Sequence, residues 1–177
     1  MRETIDAPPA GLAAVARKIQ ALTSGLSRAA SLVAPVVLRA ALAVPFFKSG
    51  LTRWDGFAAL SPATAYLFEN EFQLHVFGQA YDFPYPLVTA HLVGMAEIML
   101  PILLVAGLAT RFAALGLLVM TGVIQLVMPE GWANFHLPWA GLALAILALG
   151  AGRLSLDHLI YRHFAGQIRP PSARPGS

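Results

Sequence analysis

The sequence predicts an all-α integral membrane four-helix bundle, with both termini cytoplasmic, an amphipathic N-terminal helix and an ordered outer loop. Three observations carry that class. Hydrophobic residues make up 57% of the chain and charged residues only 12%, against about 25% charged in an ordinary soluble domain. Mean hydropathy is +0.65, so there is too little charge to cover a water-facing surface. Four apolar runs of spanning length follow one another, with Lys and Arg gathered at alternate ends.

Composition also excludes chemistry. The chain has no cysteine, which removes disulfides, thiolate metal sites, CxxC exchange and a cysteine nucleophile. The sequence pI near 9.7 is no nucleic-acid signal, because the basic residues lie near the ends of apolar runs, where membrane topology is encoded. No Ser/His/Asp order, P-loop, HExxH or GxGxxG is present. No cleaved signal peptide is evident, and the first long apolar run starts near Ala29.

Residues 1–10, with Pro8 and Pro9, read as a disordered start. In 11–28, Leu12, Val15, Ile19, Leu22 and Leu26 recur at spacings of 3, 4, 3 and 4, one face of a helix. That helix either lies on the membrane surface or packs on its own bundle. Residues 1–28 therefore form a tail and interfacial helix, 29–160 the four-span domain, and 161–177 a disordered tail.

The expected spans are 30–50, 86–107, 112–128 and 136–152. Pro86 suits the first position of the second helix. Trp132 and Trp139 can mark an interface. Arg2, Arg17, Lys18 and Arg28 precede span one, Arg111 sits between spans two and three, and Arg153, Arg162, Arg169 and Arg174 follow span four. This distribution predicts both ends inside. The connection 51–85 then faces outward. Ser61-Pro62 can cap a helix there, and seven aromatics between Phe57 and Phe83 suggest that it packs onto the bundle mouth.

Two ionisable residues lie inside apolar runs, Arg39 in span one and Glu97 in HLVGMAEIMLPILLVAG, residues 91–107. An unpaired charge at the bilayer centre costs about 2.5–3.5 kcal/mol on insertion scales. Glu97 is 11 residues past Pro86, about 16 Å from the outer end of its helix. Arg39 is 8 to 11 residues before the outer end of span one, about 12–16 Å down. Equal depth on antiparallel helices predicts an Arg39–Glu97 ion pair, with Ala90 and Gly94 allowing close approach. The pair either locks helix register or borders a ligand or proton path.

A second set is expected at the outer mouth: His91, Gln125, His136 and Lys48 or Arg53. His91, Gln125 and His136 could bond a quinone headgroup stacked on aromatics. His91, Met95 and Met99 share one helix side at i, i+4, i+8, a weak candidate copper site, although methionine as apolar filling is the stronger reading. His75 reads as a surface or packing residue, and His158 and His163 as facing water or headgroups. Asp157 is expected to cap the tail helix or to pair with Arg111 or Arg153.

Arg39 is followed by SGLTRW at 49–54, Glu97 by GLATRFAALGLLVMT from Gly107, and span four ends in GAGRLSLDHL at 150–159. Taken in this order with four spans, these residues resemble the DoxX family of small four-span bacterial membrane proteins. The likeness covers roughly residues 35 to 160. The family's Gly-x-x-Lys falls on Gly50–Arg53 with arginine in place of lysine, its Gly-Leu-x-Thr-Arg on Gly107–Arg111, and its Gly-Pro-Gly-x-x-Ser-x-Asp on Gly150–Asp157 with Ala151 in place of proline. The resemblance makes Arg53, more than Lys48, the outer base to watch. It implies a bacterial inner-membrane protein that acts as a redox-associated subunit contacting the quinone pool. It also implies, as an alternative, a non-enzymatic accessory to copper or oxidative-stress handling with a modified-peptide system, while Arg39 and Glu97 as a coupled site would suit a small proton-coupled transporter. The implied partners are the lipid bilayer, a membrane or periplasmic protein, and further copies of the chain.

Overall fold

The computed structural model describes residues 10–167. Helix α1 runs unbroken over Ala10–Thr52, so the amphipathic segment and the first span are one helix rather than two. After it come α2 (Pro62–Tyr66), a π-helical turn (Leu67–Glu71), a hairpin of β1 (Gln73–Val76) and β2 (Gln79–Asp82), α3 (Pro86–Ala106) and α4 (Thr110–Val127). A 3-10 turn (Pro129–Gly131) and a π-helical turn (Trp132–His136) lead into α5 (Leu137–Leu149), and α6 spans Leu156–Gln167. Helical structure thus continues past residue 160, where a disordered tail was expected. The expected disordered start, 1–9, and the rest of the tail, 168–177, lie outside the described residues.

Among the described residues, four helices are long and apolar enough to cross a membrane: Ala14–Thr52, Pro86–Ala106, Thr110–Val127 and Pro129–Leu149. They close a ring in the order α1, α3, α4, α5. Leu42, Phe46, Leu104, Leu117 and Ile146 meet at its centre, with Ala43, Ala113, Ala114 and Ala143 filling the narrow gaps. On α3 the buried face is Ala90, Gly94, Glu97, Pro101 and Leu104, spaced 4, 3, 4 and 3, a helical stripe. The opposite face, with Val88, Leu92, Met95, Met99 and Ile102, is exposed. Such an apolar exterior suits lipid, not water.

The connection 51–85 folds into a cap at one end of the ring. Ser61 caps α2 through its hydroxyl, which accepts from Thr64 N, and Pro62 opens the helix, as the Ser-Pro pair predicts. The hairpin was not foreseen. It turns at Phe77 and Gly78, both at positive φ (51° and 79°), the conformation of a tight two-residue hairpin loop. His75 Nδ1–H donates to the Leu126 carbonyl at 3.1 Å, tying the hairpin to the end of α4.

The other end of the ring carries α6 and both chain ends of the described segment. There α3 stops at Gly107, in the left-handed region at φ +69°, and Leu108 N donates to Leu103 O at 3.0 Å. This is a glycine-closed helix end. Residues 15–33 of α1 are exposed throughout and extend beyond the ring at this end.

Candidate functional site: a polar-edged aromatic chamber under the cap

Glu97 is 1% exposed, and its partner is Arg53, not Arg39. Arg53 Nε donates to Glu97 Oε2 at 2.9 Å and Nη2 to Oε1 at 3.2 Å. Ser49 Oγ donates to Oε1 at 3.1 Å. The expected Arg39–Glu97 pair is therefore corrected. The depth argument assumed that α1 and α3 end level at the mouth. Instead α3 overshoots, and its first turns flank the cap. Gly50, 11 residues on from Arg39, lies against Glu97: a Cβ there would sit 2.9 Å from the Glu97 carbonyl carbon. One turn further along, a Cβ on Gly94 would meet the Trp54 ring at 2.8 Å. Small residues thus set how closely the two helices approach.

Arg39, 3% exposed, belongs to the opposite end. Its Nε donates to Pro35 O at 3.1 Å, Nη1 to Val105 O at 3.4 Å and Nη2 to Leu154 O at 2.6 Å. The cation sits among carbonyls, including one in the last turn of α3, where the helix dipole favours it. Asp157 completes this joint. It caps α4, not the tail helix, accepting from Ala109 N at 2.8 Å and Thr110 N at 2.9 Å. Its own N–H donates to Gly107 O at 2.8 Å. Ser155 Oγ takes the role expected of Asp157 and accepts from His158 N at 3.1 Å. The arginine, the Gly107–Arg111 segment and the Gly150–Asp157 segment therefore interlock as one structural joint.

The Glu97–Arg53 pair borders a chamber of about 580 Å³ that runs between α1, α3, α4, α5 and the cap, a size typical of small-molecule sites. Its walls are aromatic and apolar, with Phe46, Phe68, Phe72, Phe83, Phe135 and Trp139 contributing rings. The Arg53 guanidinium lies 5.5 Å from the Phe68 ring centre, within cation–π reach. His136, 3% exposed, lines the chamber from the start of α5. It is bonded to Gln125 at 2.6 Å.

The other mouth candidates separate. His91 is exposed on the outside of α3, where its Nδ1–H donates to Leu87 O at 2.8 Å and its ring meets Trp54 edge-on. Lys48 is exposed and does not line the chamber. Met95 and Met99, 56% and 54% exposed, point to the apolar exterior, so His91, Met95 and Met99 do share a side but enclose no cavity. Of the expected set, Arg53 and His136 reach the chamber, with Gln125 behind His136.

Sequence reasoning missed Ser49, Phe68 and Gly131. Ser49 was visible in SGLTRW, yet nothing local marks a serine as a carboxylate partner across 48 residues. Gly131 matters because a Cβ there would lie 2.5 Å from His136 Cε1.

Fold and site together define a multi-pass helical membrane protein with an amphipathic chamber beneath a folded cap. The chain belongs to the DoxX family, whose model matches residues 34–130. It is similar to an uncharacterized protein of Haemophilus influenzae, 31% identical over 155 residues, covering 81% of this chain and 89% of the relative. No solved structure matches it.

Proposed function

We propose that this protein is a redox-associated membrane accessory whose chamber receives the ring of a quinone-type lipid. The carrying observation is the chamber itself: aromatic walls that can stack on a flat ring, with Arg53 at one edge and His136 at another. Ligand sites in membranes commonly pair an apolar enclosure with a few placed polar groups. A quinone partitions into the bilayer, so it reaches a site between spanning helices without crossing water. The chain would act beside a membrane or periplasmic partner that supplies the electron-transfer groups.

We place the terminal end of the ring in the cytoplasm and the cap outside, in a bacterial inner membrane. Arg28, Arg111, Arg153 and Arg162 support this orientation by gathering at one end. At the cap end, Arg53 is neutralised by Glu97. The copper reading gains nothing from the exterior placement of Met95 and Met99. The proton-coupled reading built on Arg39 with Glu97 loses its premise, since the two belong to different ends.

The test is to purify the protein in mild detergent and quantify extracted quinones by mass spectrometry. Near-stoichiometric quinone is expected. Quinone no higher than in a detergent-matched control membrane protein would contradict the reading.

A further inference from the structure

The chamber's unused hydrogen-bonding groups have a polarity, and His136 sets it. The Pro129 carbonyl can only accept, so the amide nitrogen of Gln125 faces it, at 3.1 Å. That turns Gln125 Oε1 toward His136 Nδ1, at 2.6 Å. A carbonyl oxygen can only accept, so Nδ1 carries the proton, and the neutral ring keeps a lone pair on Nε2. Gly131 packs close beside the ring, where an ideal Cβ would lie 2.5 Å from Cε1 and 2.8 Å from Nε2. Gly131 and His136 both line the chamber, and among the described residues no hydrogen bond takes up Nε2, so its lone pair is left for a ligand.

The remaining polar groups supply both donors and acceptors. Seven side chains with polar atoms line the chamber: Ser49, Arg53, Glu97, Glu130, Asn134, His136 and the Trp139 indole. The Ser49 proton is already given to Glu97, leaving its oxygen to accept. Glu97 and Glu130 are acceptors when ionised. Donors left for a ligand are the unspent N–H groups of Arg53, whose Nη1 makes no bond to Glu97, the Asn134 amide and the Trp139 indole N–H. A ligand with acceptors alone satisfies Arg53 but sets its other oxygen against the His136 lone pair. A hydroxyl on an aromatic ring can accept from Arg53 at one end and donate to His136 at the other.

We propose that the chamber selects the hydroxyl-bearing form of its ligand, a hydroquinol or phenol, over the carbonyl form, through the Nε2 acceptor of His136 held by Gln125. This rests on the reading of the chamber as a quinone-type site. His136 contacts the ligand directly, and Gln125 is a positioning residue. Sites built to pair a ligand hydroxyl discriminate strongly against analogues that lack it.

Two ligand pairs test this on the detergent-solubilised protein at neutral pH under argon. One is a decyl-substituted benzoquinol and its benzoquinone. The other is redox-inert, a decyl-substituted phenol and its methyl ether. The expected result is that quinol and phenol bind at least about tenfold tighter than their partners. Gln125→Leu and His136→Phe are each expected to bring the affinities within both pairs to within about twofold of one another. Equal affinities within each pair, or a preference for quinone and ether, would overturn the proposal and leave the chamber reading standing. Failure of all four to bind would overturn both. The wild-type comparison decides even if a variant misfolds.

Discussion

Arg53, the residue just past the end of α1, and Glu97, on the inward face of α3, meet at 2.9 Å, with the carboxylate almost fully buried. Removing one partner of such a pair leaves an uncompensated buried charge, which typically costs about 3–5 kcal/mol, whereas replacing both by apolar residues is often neutral. Arg53→Leu or Glu97→Leu alone is therefore expected to lower the thermal midpoint in detergent sharply, and the double variant to recover most of the loss. The same cycle on Arg39 and Glu97 is expected to be additive within about 0.5 kcal/mol. Strong coupling of 39 with 97, and none of 53 with 97, would reverse the assignment.

Asp157 acts as a cap delivered from 47 and 48 residues away onto a helix whose own cap position is Ala109. Losing a capping side chain costs about 0.5–2 kcal/mol. Asp157→Ala is expected to destabilise by that amount and to speed hydrogen exchange at the Ala109 and Thr110 amides. Unchanged exchange at both would show that these bonds do not hold the joint in solution.

The same carboxyl titrates low. Burial pushes its pKa up, but the amide donors of Thr110 and Ala109 and the charge of Arg39 outweigh burial and hold it below the ordinary 3.8. A folded value below the unfolded one stabilises fully above about pH 4. That stabilisation is lost as pH falls through the lowered value. Thermal midpoints of wild type and Asp157→Asn are expected to differ at pH 6 and to converge as the pH drops toward 3. A gap that widens in acid would mean the shift has the opposite sign.

Gly50 is a contact point and Gly122 is not. A Cβ at 50 would lie 2.9 Å from the Glu97 backbone and from Ile98 Cγ1, while at 122 nothing lies within 4 Å. Gly50→Ala is expected to cost about 1–3 kcal/mol by forcing α1 and α3 apart. Gly122→Ala is expected to be neutral or to stabilise by up to about 1 kcal/mol through helix propensity. Equal effects in thermal unfolding would argue against the close crossing.

Much of the architecture is legible because it is written locally. The four apolar runs and the Ser61-Pro62 start each depend on a few adjacent residues. Pairing across helices is not local. Arg39 and Glu97 looked level only if the spans end level, and the cap breaks that assumption by seating Trp54 against Gly94. The Phe77-Gly78 turn escaped because phenylalanine rarely takes the left-handed position that asparagine or glycine usually fills. His136 and Gln125 were named as neighbours of one mouth, but the sense of their hydrogen bond depends on the Pro129 carbonyl, a backbone atom whose position no side-chain pattern encodes.

The claim that a quinone-type ring sits in the chamber is tested most directly by filling the space. Met120 lines the chamber, whereas Met95 faces the exterior at 56% exposure. Quinone co-purifying with wild type, Met120→Trp and Met95→Trp would be quantified after extraction from equal amounts of folded protein. The account predicts wild-type levels in Met95→Trp and a loss of at least about tenfold in Met120→Trp, the extra ring taking the ligand's place. Equal quinone in all three would mean that the ligand binds elsewhere on the protein and that the chamber is not its site.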